Sequence, residues 1–417
     1  MINSNYCDVI IVGSGMAGLY SAYNIKKKSP YTTFLVLEKY KKQWIGGRTS
    51  NEMFYGTRVV TGAGIGRKDT NPLLIKLMNE LDISYSDFIS KMDYSQLMKP
   101  IDILKYIDLL KKEYKKNIPV NSKLTFKQFF IKIFGPEVLK QFCISAGYTD
   151  YLDADVHETL YNYGMDDNKG GWKGLHINWR ELVEELYKKI GSQHFKFSNN
   201  VINIKKINDN PCLFELKTEK GSIFHCNRVI IATTISGIQK LITVNNSLYS
   251  QIHGQPFLRL YAKFSKESSK IMEKFVPNYT IVPGPLQKII PMSRKNGVYM
   301  IAYSDNENAE LLRTYLEDNI NNRDLYCKLL EKSLGIPSNS LKIIALKSYY
   351  WPIGTHYYSP LKGNFTNRDD FVKMAQHPEK GMLVVGEAVS RYQGWVEGAL
   401  GSVESVLTKK WIQNECK

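Results

Sequence analysis

Asp8-Val-Ile-Ile-Val-Gly13-Ser14-Gly15-Met16-Ala17-Gly18-Leu-Tyr20 reads as an apolar strand, a glycine turn and the opening of a helix, and Phe34-Leu-Val-Leu-Glu38 answers it as a second strand ending in an acid. The unit has the βαβ length of a dinucleotide site, roughly thirty residues. Gly13 makes the tight turn, Gly15 lets the backbone approach a pyrophosphate, and Gly18 lets helix and strand pack closely. The pyrophosphate belongs at the helix start near Met16, where unpaired N–H groups and the dipole favour an anion. Glu38 is placed to accept from ribose hydroxyls, and Lys26, Lys27 and Lys28 suit the negative end of the helix.

Two further stretches narrow the cofactor. Ile45-Gly46-Gly47-Arg48-Thr49 follows the acid closely, with paired glycines for backbone contact and an arginine for phosphates. Near the other end, Gly381-Met-Leu-Val-Val-Gly386-Glu387 is a short buried strand, and Gly394-Trp395-Val396-Glu397-Gly398-Ala399 opens a glycine-bounded helix. With Thr61-Gly62-Ala63-Gly64 and the weaker Val229-Ile-Ile-Ala-Thr233-Thr234, these segments resemble the flavin-containing amine oxidase family. The likeness covers most of the chain and is weakest in the central helical part.

The resemblance implies an α/β fold in which a Rossmann-like FAD-binding domain is interleaved with an α+β substrate domain. The cofactor domain is expected over 1–85, 171–250 and 346–417, and the substrate domain over 86–170 and 251–345. The residues expected at FAD are Gly13, Ser14, Gly15, Met16, Ala17, Gly18, Glu38, Lys39, Gly46, Gly47, Arg48, Gly62, Ala63, Gly64, Ile65, Val201, Thr233, Gly386, Glu387, Gly394, Trp395 and Val396. Thr355 stands where monoamine oxidases carry the cysteine bound to flavin, so non-covalent FAD is expected. By the same likeness His356 and Trp395 form the aromatic cage around the amine, with Tyr357 as the wall if the match slips by one. Arg259 falls where relatives hold a lysine near the flavin, and Lys263 is the nearby alternative.

The resemblance implies an FAD-dependent amine oxidase with a small-molecule amine and O2 as substrates and H2O2 as product. Two other activities fit the same fold, an amino-acid oxidase or a desaturase of an alkene or tetrapyrrole precursor. A reading of another class is a flavin-bearing interaction module that uses the basic surface.

The net charge of +16 comes from lysines spread along the chain, as at Lys105, Lys111, Lys112, Lys115 and Lys116, so a solvated surface is expected rather than a nucleic-acid site. Asp150, Asp153, Asp155, Glu158, Asp166 and Asp167 form an acidic counter-region. It reads first as capping and surface solvation, and secondarily as an attractor for a cationic substrate such as a polyamine. Cys7, Cys143, Cys212, Cys226, Cys327 and Cys416 have no metal or redox spacing, so six reduced thiols and no metal are expected. No run of eighteen apolar residues and no signal-like leader occur, and a cytoplasmic protein without a membrane anchor is expected. The sequence leaves the oligomeric state open.

Overall fold

The first apolar run becomes the strand Tyr6–Val12, and its glycine turn passes into the helix Met16–Lys28. A computed structural model of the chain describes residues 5–163, 165–244 and 246–414. Tyr6–Val12 pairs in parallel with Phe34–Leu37 on one side and Ile223–Ile231 on the other, and Met382–Val384 adds in parallel beyond. Val9 and Ile11 face one way, Ile10 and Val12 the other, and all four are buried. Burial on both faces is why the run is continuously apolar rather than alternating. The helices Met16–Lys28, Trp179–Ile190 and Val396–Val406 cover one face, while Ile235–Leu241 lies on the other. Antiparallel Val201–Asp209 and Cys212–Thr218 extend this seven-stranded sheet.

A second, six-stranded sheet runs in the order Ile343–Tyr358, Ile252–Phe264, Val298–Asp305, Lys288–Ser293, Tyr279–Ile281, Met92–Tyr94. Leu258, Leu260, Ala262 and Phe264 alternate onto the face packed by a hydrophobic core, which leaves Phe257 and Arg259 on the opposite face. Ile343–Tyr358 crosses the boundary expected at 346, because it pairs with Ile252–Phe264 from end to end. Its last residues thereby reach the glycine segments of the first sheet.

The central region is helical as read, with Ile103–Lys116, Phe126–Phe134 and Pro136–Ala146 enclosing an aromatic core. Ile103, Ile107, Leu110 and Tyr114 are buried, and Lys105, Lys112, Lys115 and Lys116 are exposed, so this helix has the solvated basic face expected of it. The helix Pro72–Glu80 starts with Asn71 as its cap residue and Pro72 in its first turn. Its first-turn N–H groups at Leu73 and Leu74 donate to the distant Glu397 carboxylate at 2.9 and 3.0 Å.

Cys7, Cys143, Cys226 and Cys327 are free thiols, but Cys212 is disulfide-bonded, which corrects the expectation of six reduced cysteines. Cys416 lies outside the described residues. Among those residues no helix is long and apolar enough to cross a membrane, and no group of His, Cys, Asp or Glu could hold a metal ion.

Candidate active site

Gly13 has φ +105°, and a Cβ there would stand 2.5 Å from the Ala232 carbonyl oxygen, so only glycine makes this turn without strain. Thr233 flanks the same turn. Gly15 differs. It caps the helix Met16–Lys28 at φ −69° without a side-chain cap, and a Cβ on it would meet nothing within 4 Å. The helix start opens onto a backbone cradle, which suits a diphosphate. Gly46 N donates to Ser14 O at 2.9 Å, and Gly15 and Gly46 form a parallel bridge, so the two glycine segments meet there. Glu38 accepts from Ser14 N (2.8 Å), Ser14 Oγ (2.7 Å) and Tyr40 N (2.9 Å). Its carbonyl accepts from Asn199 N at 2.8 Å, which brings the strand starting at Val201 close to it. Lys39 is exposed and lies over the Tyr40 ring. This donor set fits FAD. Gly15→Ala is expected to leave the melting temperature of the apoprotein within about 1 °C, because the backbone accepts alanine, yet to weaken FAD binding about ten-fold (~1.4 kcal/mol) by filling the cradle. Flavin fluorescence titration beside thermal denaturation checks both halves.

A charged node joins the two chain ends. Arg48 Nη1 donates to Gly354 O at 2.6 Å and to Glu387 Oε1 at 3.0 Å, while Glu387 Oε2 accepts from Gly394 N at 2.8 Å. Ala63 N donates to Arg48 O at 2.8 Å and ties in the Gly62-Ala63-Gly64 turn. Gly386, at φ +126°, is fixed by Ser402 Oγ at 2.8 Å. Burial alone would raise the Glu387 carboxyl, but His356 and Arg48 outweigh it and hold it down at about 2.

His356 belongs to this node. Ile235 N donates to its Nε2 at 3.0 Å, so the ring proton sits on Nδ1, in short contact with Glu387 Oε1. His356 lines the edge of the cavity described below, but its side chain is buried and both ring nitrogens are bonded within the protein, so the imidazole has no nitrogen free to take a substrate's proton. His356 and Trp395, the two residues expected at the cage, both line one cavity, but the imidazole is tied into the Glu387 node. The cause is strand alternation: His356 and Tyr358 turn inward, leaving Thr355 and Tyr357 partly exposed on the other side. Thr355 lies against Gly394, and Tyr357 stacks on His253 with ring centroids 5.2 Å apart.

A cavity of about 1570 Å³ lies against the six-stranded sheet and is lined by Gly64, Ile65, Arg259, Thr355, Tyr357 and Trp395 among others. That exceeds the usual volume of a single small-ligand pocket, roughly 300–1,000 Å³. Trp395 precedes the helix Val396–Val406, donates from Nε1 to Asn71 Oδ1 at 2.9 Å and meets Trp179 edge-on at 6.0 Å. The Arg259 guanidinium is buried beside Gly64 and 4.1 Å over the Tyr303 ring, and no carboxylate pairs with it among the described residues. Lys263, farther along the strand, donates to Asn296 O at 2.6 Å and does not line the cavity, which decides between the two cations.

The acidic segment divides. Asp155 caps its own helix turn and pairs with buried Arg368 at 3.0 Å, Glu158 pairs with Arg391 at 2.9 Å, and Asp153 is exposed. Asp150 alone among these three neighbours' segment keeps its carboxyl on the cavity without a basic partner among the described residues. Sequence reading missed Lys288, which is fully buried over the rings of Tyr148 and Tyr303. Nothing in an isolated Gln-Lys-Ile-Ile stretch marks a lysine as buried.

Residues 16–404 match the family of flavin-containing amine oxidoreductases. An uncharacterised protein of Acanthamoeba polyphaga mimivirus is 22% identical over 96% of this chain and 93% of its own length. Two solved structures of putrescine oxidase redesigned for cofactor binding, a double and a triple mutant, share the fold. They have TM-scores of 0.73 and 0.72 at 14% identity, covering 96% of this chain and 98% and 97% of theirs. The glycine cradle, the Arg48–Glu387 node and the cavity against the six-stranded sheet thus stand in a family context: this chain belongs to the flavin-containing amine oxidoreductases.

Proposed function

We propose that this chain binds FAD non-covalently and oxidises an amine, with oxygen as the final acceptor. The observation that carries the reading is the convergence of Trp395, Arg259 and Gly64 on one cavity beside the glycine segments. Bound FAD supplies the two-electron acceptor: a carbon next to a neutral amine gives up a hydride, water hydrolyses the resulting imine, and O2 takes the electrons as H2O2.

The chain's own residues prepare that step. Trp395 offers an aromatic wall to the amine, and the helix start behind it favours negative charge at the cofactor. Arg259 remains a cation, and with no carboxylate beside it repels an ammonium and favours the neutral, reactive amine. Arg48 and Glu387 hold the cofactor side, and Thr355 in the linking position supports release of the flavin on denaturation.

Anaerobic mixing with a panel of mono-, di- and polyamines should bleach the flavin, and admitting oxygen should restore it with peroxide. Acid precipitation should leave the flavin in the supernatant. A panel that leaves the flavin oxidised overturns the reaction, and flavin that stays on the peptide overturns non-covalent binding. The unpaired Arg259 also favours a second reading, an amine that carries a carboxylate, so amino acids belong in the panel. Bleaching by amino acids alone would select it.

A further inference from the structure

Between the strand Phe34–Leu37 and the paired glycines the chain runs Lys39-Tyr40-Lys41-Lys42-Gln43-Trp44, and all six residues are exposed. Tyr40 and Trp44 are 49% and 43% exposed, which is unusual for two large rings so close in the chain. The backbone beneath them is nonetheless pinned. Ser198 N donates to Tyr40 O at 3.0 Å, Trp44 N to Lys41 O at 2.9 Å, and Arg180 Nη1 to Gln43 O at 3.2 Å. The rings themselves stand in a row: Tyr40 and Trp44 have centroids 6.4 Å apart, and Trp44 meets Trp351 at right angles at 6.5 Å. Trp351 is anchored in turn by its Nε1, which donates to Thr61 O at 2.7 Å.

Lysines are interleaved with these rings. Lys39 Nζ stands 4.5 Å over Tyr40, and Lys42 Nζ 4.8 Å over Tyr187. The carboxylates beside them are already taken: Glu38 accepts from Ser14 and from Tyr40 N, and Glu184 pairs with Arg180 at 2.7 Å. Lys39, Lys41 and Lys42 make no ion pair among the described residues, so their charge faces outward uncompensated in a chain of net +16. None of these side chains lines the cavity.

We propose that this face binds single-stranded nucleic acid, with bases stacking on Tyr40 and Trp44 and phosphates paired to Lys39, Lys41 and Lys42. Each half of the pattern selects. Uncompensated lysines attract any polyanion, whereas flat rings held open reward one whose own faces are free, and a duplex buries its base faces in its own stack. An anionic membrane calls for aliphatic side chains to insert, and this segment exposes none, since its flanking Leu37 and Ile45 are buried. Binding here does not depend on the reaction at the flavin.

The test uses the FAD-loaded protein and a fluorescein-labelled oligothymidylate of about twenty nucleotides, read by anisotropy. Affinity should fall about 20-fold between about 50 and about 200 mM salt, as neutralising three phosphates of a single strand requires. The same strand annealed to oligoadenylate should bind about ten-fold more weakly. Trp44→Ala should weaken binding about ten-fold with the salt slope unchanged, whereas Lys41→Gln combined with Lys42→Gln should cut that slope to about a third. Both variants alter exposed side chains, so melting temperature and flavin content should stay at wild-type values. Absence of binding at the lower salt, equal affinity for strand and duplex, or wild-type affinity in Trp44→Ala overturns the proposal. Phosphatidylserine vesicles that bind the protein when oligothymidylate does not would assign the face to a membrane and overturn it too.

Discussion

Glu387→Gln is expected to destabilise the apoprotein by about 3 kcal/mol near neutral pH and to weaken its hold on FAD. The folded protein keeps this carboxyl at about 2 against an ordinary 4.5, because His356, bonded to it through Nδ1, and the Arg48 guanidinium outweigh the burial that would raise it. Each unit of depression corresponds to about 1.4 kcal/mol favouring the folded, ionised state. The contribution is complete above about 4.5 and is lost as pH falls towards 2. Glutamine retains the shape but leaves Arg48 and His356 without their carboxylate, and one-sided disruption of a buried pair typically costs about 3–5 kcal/mol. Urea denaturation of both proteins at pH 7 and pH 3 measures this. The gap should narrow by about 2 kcal/mol at the lower pH, and an equal gap at both would remove the charge from the explanation. His356→Tyr should act in the same direction rather than improve turnover, since it strands the Ile235 N–H and the Glu387 carboxylate together.

Trp395→Ala should slow anaerobic flavin reduction by substrate about ten-fold or more, equivalent to roughly 1.4 kcal/mol of transition-state stabilisation. The indole is held by its bond to Asn71 and by the edge of Trp179, so its face is presented to the cavity in a fixed orientation. Alanine removes the wall and leaves Asn71 without this donor, whereas the glycine cradle and the Arg48–Glu387 node are untouched. FAD content should therefore stay at wild-type level, and Trp395→Phe should recover much of the rate. Stopped-flow reduction beside the flavin-to-protein absorbance ratio separates the two quantities. A variant that loses cofactor while reducing at the normal rate when reloaded would place Trp395 in cofactor binding instead.

What the sequence displays best is local backbone necessity. Gly13 and the helix after it were legible because spacing and φ are fixed within a few residues. The bonding of His356 to Glu387 and Ile235 was hidden because its direction depends on the pairing of Ile343–Tyr358 with Ile252–Phe264, and one step along a strand exchanges the two faces. Arg259 and Lys263 could be told apart only once Gly64 and Asn296 were in place around them. Glu397, inside a motif read for its cofactor helix, serves another helix more than three hundred residues earlier in the chain. Lys288 drew no reading at all, since burial of a charge leaves no local signature.

The parallel sheet that carries the glycine cradle has a temporal consequence. Its central strand Tyr6–Val12 pairs with Ile223–Ile231, and that strand in turn awaits Met382–Val384 near the far end of the chain. Such long-range closures are slow and add loop-entropy cost before they yield contacts. On the ribosome the first βαβ unit must therefore wait for Ile223–Ile231, and that strand's outer edge for nearly the whole polypeptide, to emerge. Its apolar strands stay exposed meanwhile, so shortened chains ending before residue 382 should accumulate as chaperone clients rather than as smaller flavoproteins.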